Sequence, residues 1–257
     1  MVKWKLLLTT LPYVVAALAL KLALKYLADF QGLIEFSDMS LVLTAGTFLT
    51  GFMLAGTLAD YKEAEKLPAE LACGLESIEE TFLQVSIGRP AVDLSAERNA
   101  VLDTGTHLWD WLHRRKSQEE MFAALERLGR RLADLEAHGA GPHASRALRE
   151  LHNLRRNATR IAVISRTGFV AAGYALLEVL TIIILGMTLL GHFKNFLTEA
   201  VLVPFVALIF VYMLRFIRDL DDPFDYAADG SQGSVEVELF PLKEYLERLK
   251  VRAGAKS

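Results

Sequence analysis

The second apolar segment of the sequence places hydroxyl and aromatic side chains at the spacing of one helix face. Thr44, Phe48 and Phe52 are four residues apart, so they fall on one side of a helix. Their neighbours are small or hydroxylated, and none is charged. One interpretation is close helix packing, because small residues let membrane helices approach and threonine bonds its own backbone. The other is a pore-lining helix, in which a ring of phenylalanines forms a constriction that gates by dewetting.

Three charged residues within apolar segments predict an ion pair or an ion site. Glu178 lies midway along the third apolar segment, where a carboxylate is costly and is a functional candidate by default. Lys21 and Lys25 lie four residues apart in the first segment, at a comparable predicted depth. The sequence therefore predicts a structural pair between Glu178 and one of these lysines, or an ion site at Glu178.

Signatures of metal sites and of catalysis are weak. Asp222, Asp225 and Asp229 offer the oxygen ligands that calcium prefers, but without the spacing of an EF-hand, so a solvated face is the alternative. The single cysteine, Cys73, excludes an intrachain disulfide, and no P-loop, nucleophile elbow or kinase signature occurs. We therefore expect neither enzymatic activity nor a cofactor.

Four apolar windows have the length that a helix needs to cross roughly 30 Å of hydrocarbon. With 53% apolar residues and a net charge of −3, the composition indicates a membrane protein and gives no reason to expect nucleic acid as a partner. A cleaved signal peptide is the alternative for the first window, but its apolar character continues past the possible cleavage site. The windows are Leu6 to Leu27, Met39 to Ala59, Thr167 to Leu190 and Phe196 to Leu214.

The distribution of charge predicts the orientation of these spans. Residues 60–166 carry sixteen Lys/Arg, whereas residues 30–38 carry none and residues 191–198 carry only Lys194. By the positive-inside rule, both termini and the long middle segment are cytosolic, in a multi-pass protein of the plasma (inner) membrane. The predicted organisation is 1–59 (spans 1 and 2), 60–166 (cytosolic helices), 167–214 (spans 3 and 4) and 215–257 (helix extension and packing tail).

The middle segment shows helical periodicity. A capping box, Ser117 with Glu120, predicts the start of its second helix, and the loop from His138 to Pro142 ends that helix. The third helix is expected to run without a break into the third span. The apolar stripes are Leu67, Leu71, Leu75, Ile78, Phe82 and Val85; Phe122, Leu125, Leu128, Leu132 and Leu135; and Leu148, Leu151, Leu154 and Ile161.

Three stretches in this order resemble the bestrophin family of ion channels: Thr44 to Phe52 with Asp60 to Ala64, Val203-Pro204 with Asp222-Pro223-Phe224, and Glu238 to Leu242. The resemblance implies an all-α homopentamer whose four membrane helices continue into a cytosolic bundle around a central pore. It also implies that Thr44, Phe48 and Phe52 project into the neck. Aligned back from the third span without gaps, it places His143 at the cytosolic aperture, and a solvated loop histidine is the alternative.

The resemblance also carries departures. Asp225 stands where the family has glycine, and Ala227 and Ala228 replace carboxylates of the calcium clamp, which leaves Asp229. Calcium gating of the animal type is therefore not expected. The resemblance leaves ion selectivity open, since family members include both anion- and cation-conducting channels, and sodium is the alternative ion. Because aromatic edges are electropositive, the phenylalanine rings favour chloride-like anions over sodium. Membrane lipids and further copies of the chain are the other expected partners.

Two alternatives use the same sequence differently. A membrane-anchored interaction or sensor protein would use the cytosolic helices to bind a partner and the spans only as an anchor. A transporter built on Glu178 and Lys21 would need inverted repeats or broken helices, and the sequence shows neither.

Overall fold

The chain folds almost entirely into helices, as its periodicity predicts. The computed structural model describes residues 2–89, 93–137, 139–167, 171–226 and 235–254. The described helices are α1 (Val2–Leu27), α2 (Phe36–Ala64), α3 (Leu67–Gly88), α4 (Leu94–Leu112), α5 (Gln118–Ala137), α6 (Gly141–Ile164), α7 (Ala171–Leu190), α8 (Phe196–Asp221) and α9 (Phe240–Arg252); the strands are β1 (Ile34–Glu35) and β2 (Gly191–His192).

The chain divides into two compact units. The first unit comprises Met1–Tyr61 and Gly168–Asp222, and the second comprises Lys62–Thr167 and Pro223–Ser257. The long helix α2 begins in the first unit and ends in the second.

The first unit carries the apolar helices. Among the described residues, α1, α2, α7 and α8 are long and apolar enough to cross a membrane, which confirms the four predicted spans. Side chains of α2 pack on α7 and α8 in two apolar clusters. One contains Met53, Leu177 and Ile217, and the other contains Ile184, Val206 and Phe210.

The two short connections of the first unit meet in a parallel strand pair. Ile34 of β1 lies opposite Gly191 of β2, and the Leu33 amide donates to the Leu190 carbonyl at 2.8 Å. Gly32 has a φ of +95°, and a Cβ there would lie 2.8 Å from the Gly191 carbonyl oxygen. Only glycine fits this approach of the two connections without strain.

The second unit is built on the predicted apolar stripes. All six predicted residues of α3 are buried, and the capping box forms, with the Ser117 amide donating to the Glu120 carboxylate at 2.7 Å. Two residues of the predicted stripes are not buried. In α5, Phe122 is only half-buried and Met121 lies in the core in its place, and in α6, Leu148 is exposed. Helix α6 ends at Ile164, so the predicted unbroken run into the third span is wrong there.

One helix of the second unit, α4, was not predicted. Asp93 caps it, because its carboxylate accepts from the amides of Ser95 at 2.9 Å and Ala96 at 3.3 Å. The apolar tail predicted to pack on protein forms α9, which lies on α3 and α4 of the same chain.

Candidate functional site

Helix α2 has one packed face and one open face. Gly46, Thr50, Met53 and Thr57 point into the protein and are buried. On the opposite side, Phe48 is 77% exposed and Phe52 is 68% exposed. The remaining residues of the open face are Leu41, Thr44, Ala45, Thr47, Gly51, Ala55, Leu58 and Ala59. The three residues predicted to share a face, Thr44, Phe48 and Phe52, therefore do so.

Packing against the neighbouring helices fixes this rotation of α2. A Cβ on Gly46 would lie 2.5 Å from the Ile184 Cδ1 and 3.2 Å from the Phe210 ring, so a larger residue there would force the Ile184 side chain to shift. A Cβ on Gly51 would meet nothing within 4 Å. Two glycines of one helix thus mark its packed side and its open side.

The threonine hydroxyls of α2 bond to their own helix. The hydroxyl groups of Thr44, Thr47 and Thr50 each donate to the carbonyl four residues earlier at 2.8 Å. The hydroxyl proton is therefore already used, and Thr44 presents its methyl group and oxygen lone pairs to the open face.

The open face of α2 differs in composition from the exposed faces of the other apolar helices. Exposed side chains of α1, α7 and α8 are mostly large aliphatic and aromatic residues, which is the surface that lipid favours. The open face of α2 combines small residues, threonines and two phenylalanines. Small residues are typical of surfaces that contact other protein helices.

Lys21 and Lys25 of α1 do not pair with Glu178, and the predicted pair is wrong. The Lys21 ammonium donates to the carbonyls of Leu189 at 2.8 Å and Gly191 at 2.6 Å, and it lies 3.8 Å from the Glu199 carboxylate. Lys25 pairs with the same carboxylate. Lys21 and Glu199 each have side chains that are only 3% exposed.

Helix geometry explains this correction. Lys21 bonds to the C-terminal end of α7, and Glu178 lies eleven residues earlier in that helix, or about 16 Å along its axis. A lysine side chain cannot cover that distance. Both charges of the observed pair also suit the helix dipoles, since Lys21 meets the last carbonyls of α7 and Glu199 lies in the first turn of α8.

Glu178 instead pairs with Arg218 of α8. Both side chains are about half exposed, at 42% and 52%. Sequence reasoning missed Arg218 and Glu199 as partners. The available signal was the acidic residue in the first turn of α8, opposite two lysines near the end of α1.

The acidic residues after α8 do not gather into a metal site in the described structure. Asp225 pairs with Arg114 at 2.7 Å, and Asp222 is the C-cap residue of α8. Asp229, Ala227 and Ala228 lie outside the described residues. No group of three or more potential metal ligands occurs among the residues that the structure describes.

His143 lies in the first turn of α6 and is half-buried. Pro142 precedes it at the start of the helix, and Gly139, with a φ of +74°, turns the chain between α5 and α6. His138, predicted to begin this loop, lies outside the described residues.

A buried carboxylate that the sequence did not single out holds α9 in place. Glu79 of α3 accepts from Arg252 at 2.9 Å and 2.5 Å and from Arg98 at 3.0 Å. The Tyr245 hydroxyl donates to the same carboxylate at 3.4 Å. Burial, together with the nearby Glu79 charge, raises the pKa of Tyr245. The hydrogen bonds that Arg252 donates to Glu79 raise the pKa of Arg252.

Comparison with known proteins supports the fold and identifies the family. A family model described as a Bestrophin-like domain matches residues 24–227. A bacterial bestrophin homolog from Klebsiella pneumoniae has a TM-score of 0.75 and 13% identity, over 98% of this chain and 100% of that chain. A single-site variant of that homolog gives 0.76 and 12% identity, over 97% and 99%. No curated protein gives a significant match.

At these identities the structural similarity shows the fold, and the family model shows the relationship. The described helices also confirm a multi-pass membrane protein. The chain belongs to the bestrophin-like family of membrane ion channels.

Proposed function

We propose that the chain is one subunit of a homopentameric channel in which five copies of α2 surround the pore. The observation that carries the proposal is the open face of α2, where Phe48 and Phe52 stand exposed among small residues. In a single chain these rings contact little protein. Five such faces around an axis would bring the rings together and cover the small residues with neighbouring helices.

The proposed neck is hydrophobic along most of its length. Thr44, Phe48 and Phe52 are spaced by four residues, so successive rings lie about 6 Å apart along the pore. The Thr44 hydroxyl proton is engaged with the Ser40 carbonyl, so this ring offers ions little hydrogen bonding. Such a constriction excludes water when narrow and conducts when it widens.

The proposed neck favours small inorganic anions such as chloride over sodium. Aromatic rings carry positive edges and negative faces, so rings that point edge-on into the pore attract anions. No carboxylate occurs in α2 between Asp38 and Asp60. An anion in the neck would therefore meet no opposing fixed charge from this helix.

The proposed orientation places the second unit and both termini in the cytosol, in the plasma (inner) membrane. It rests on the sixteen cations of residues 60–166 and on the near absence of cations from the two short connections. In this arrangement, residues 60–166 and 215–257 form the cytosolic part, and five copies of His143 form the cytosolic aperture.

Flux measurements and mass determination test the proposal. Reconstituted in liposomes, the chain should dissipate a chloride gradient faster than a sodium gradient. In mild detergent, the protein mass should be five times 28.6 kDa. A monomer or dimer, or liposomes that conduct neither ion, would contradict a pentameric pore.

A further inference from the structure

A cleft of about 430 Å³ lies in the second unit, between the end of α4 and the start of α9. Its walls include the rings of Trp109, His113, Tyr226 and Phe240. These rings are four of the eight described lining residues. A cleft of this volume that combines aromatic walls with a few charged groups is typical of sites for small organic molecules. The conduction pathway proposed above uses none of these residues.

The inner wall of the cleft is a row of three tilted aromatic rings. The ring centroids of Trp109 and His113 lie 4.4 Å apart, and those of His113 and Tyr226 lie 5.5 Å apart. The His113 Nδ1 donates to the Trp109 carbonyl at 2.9 Å, and the Tyr226 hydroxyl donates to the Val237 carbonyl at 2.5 Å. The wall is therefore in place before any ligand binds, which lowers the entropic cost of binding.

The rim of the cleft offers a further ring and positive charge. Phe240, the first residue of α9, is 58% exposed. Lys243, one turn later, is exposed and makes no ion pair among the described residues. Arg115 and Glu238 also line the cleft, and Arg115 lies 4.0 Å from the Asp110 carboxylate. Lys243 is therefore the cation on which the positive potential of the rim depends.

The start of α9 adds to this potential. Leu239 and Phe240 line the cleft, and Leu239, the N-cap residue, makes no side-chain hydrogen bond to the helix. The positive end of the α9 dipole therefore lies at the cleft, and Pro241 in the first turn contributes no amide hydrogen.

We propose that this cleft binds a small organic anion that carries a planar aromatic ring. The ring stacks between the aromatic wall and Phe240, and the anionic group meets Lys243 and the start of α9. An inorganic anion would leave the aromatic surface uncovered, and an uncharged ring would leave the cation without a partner. Both an aromatic phosphate and an aromatic carboxylate have this chemistry.

Four probes separate the contributions of ring and charge, using the full chain in detergent and calorimetry. Adenosine monophosphate and indole-3-acetate carry both a ring and an anionic group, adenosine carries only the ring, and ribose 5-phosphate carries only the charge. We expect at least one of the first two probes to bind at least about tenfold more tightly than either of the others. Which of these two probes binds more tightly shows whether the cleft prefers a phosphate or a carboxylate group. No binding of either aromatic anion at millimolar concentration, or equally tight binding of ribose 5-phosphate, would overturn the proposal.

Substitutions locate the site. Lys243→Ala removes an exposed cation that makes no ion pair within the described part of the chain, so it carries little risk to folding and should weaken binding about tenfold. Trp109→Ala should weaken it by a similar factor, and Trp109→Phe should restore most of the loss. Lys250→Ala, two turns further along α9 and outside this cleft, is the matched control and should bind as the unaltered chain does. Equal weakening by Lys250→Ala, or none by Lys243→Ala, would contradict the assignment.

Discussion

The buried ion pair between α1 and α8 predicts a large loss of stability when its carboxylate is removed. Glu199 is the carboxylate partner of both Lys21 and Lys25. The change Glu199→Gln keeps the size of the side chain and removes its charge. It leaves Lys21 buried, with carbonyl oxygens but no anion to balance it. A buried cation without a counter-charge is strongly destabilising.

The size of the effect follows from burial. Breaking a buried pair by removing one partner costs about 3–5 kcal/mol. Lys21 retains its bonds to Leu189 and Gly191, and Lys25 is 34% exposed and can be hydrated. We therefore expect a loss of about 3 kcal/mol, at the lower end of that range. The double change Glu199→Gln with Lys21→Met should recover part of it, because no buried cation remains.

The measurement is the free energy of unfolding in mild detergent, followed by circular dichroism. The matched control is Glu65→Gln, which breaks an exposed pair with Lys62 and should cost no more than about 1 kcal/mol. If Glu199→Gln costs no more than this control, or if Lys21→Met in the double variant brings no recovery, the pair does not hold α1 against α8.

Three further predictions concern helix packing, burial and pH. Gly46→Ala should be less stable than Gly51→Ala by about 1–3 kcal/mol. Both changes gain the same helix propensity, but only a Cβ on Gly46 would lie 2.5 Å from Ile184 and force that side chain to shift. Thermal melts would show the reverse order if α2 were rotated. Burial raises the pKa of Glu97, so its ionised form destabilises the fold above that pKa. Glu97→Gln should therefore raise Tm at pH 7. This gain should disappear as the pH falls below 4.5, the ordinary pKa of a glutamate, because the carboxyl group is then protonated. A lower Tm than that of the unaltered chain at pH 7 would contradict this. If five copies of His143 line the aperture, the anion-to-cation permeability ratio should increase as the pH falls from about 7.5 to about 5, because protonated histidines attract anions. Reversal potentials measure this ratio. An increase that persists in His143→Ala would exclude the histidine ring as its cause.

Periodicity allowed most helices to be predicted but concealed α4. The stripe of α3 is strongly apolar, and each of its predicted residues is buried. The buried face of α4 includes Thr104 and Gly105, which weaken its apolar signal. Gly105 is small for a reason that only the fold reveals, since a Cβ there would lie 2.5 Å from Leu246 of α9. A close approach between helices distant in sequence leaves almost no trace in a hydrophobicity pattern.

The open face of α2 was predictable, but the charge pairs were not. The spacing of Thr44, Phe48 and Phe52 is a local property, and any helix through these residues puts them on one face. The partner of Lys21 depends on the relative depth of two helices and on which carbonyl groups lie at a helix end. Those are properties of packing, and counting residues from the ends of apolar windows gave the wrong carboxylate.

The most direct test of the central claim is chloride flux through the neck variant Phe48→Ala with Phe52→Ala, reconstituted in liposomes. If five copies of α2 line the pore, removing both rings widens and wets the constriction, so chloride flux should rise above that of the unaltered chain. Flux and ion selectivity equal to those of the unaltered chain, in a variant that still assembles, would contradict a pore through this helix.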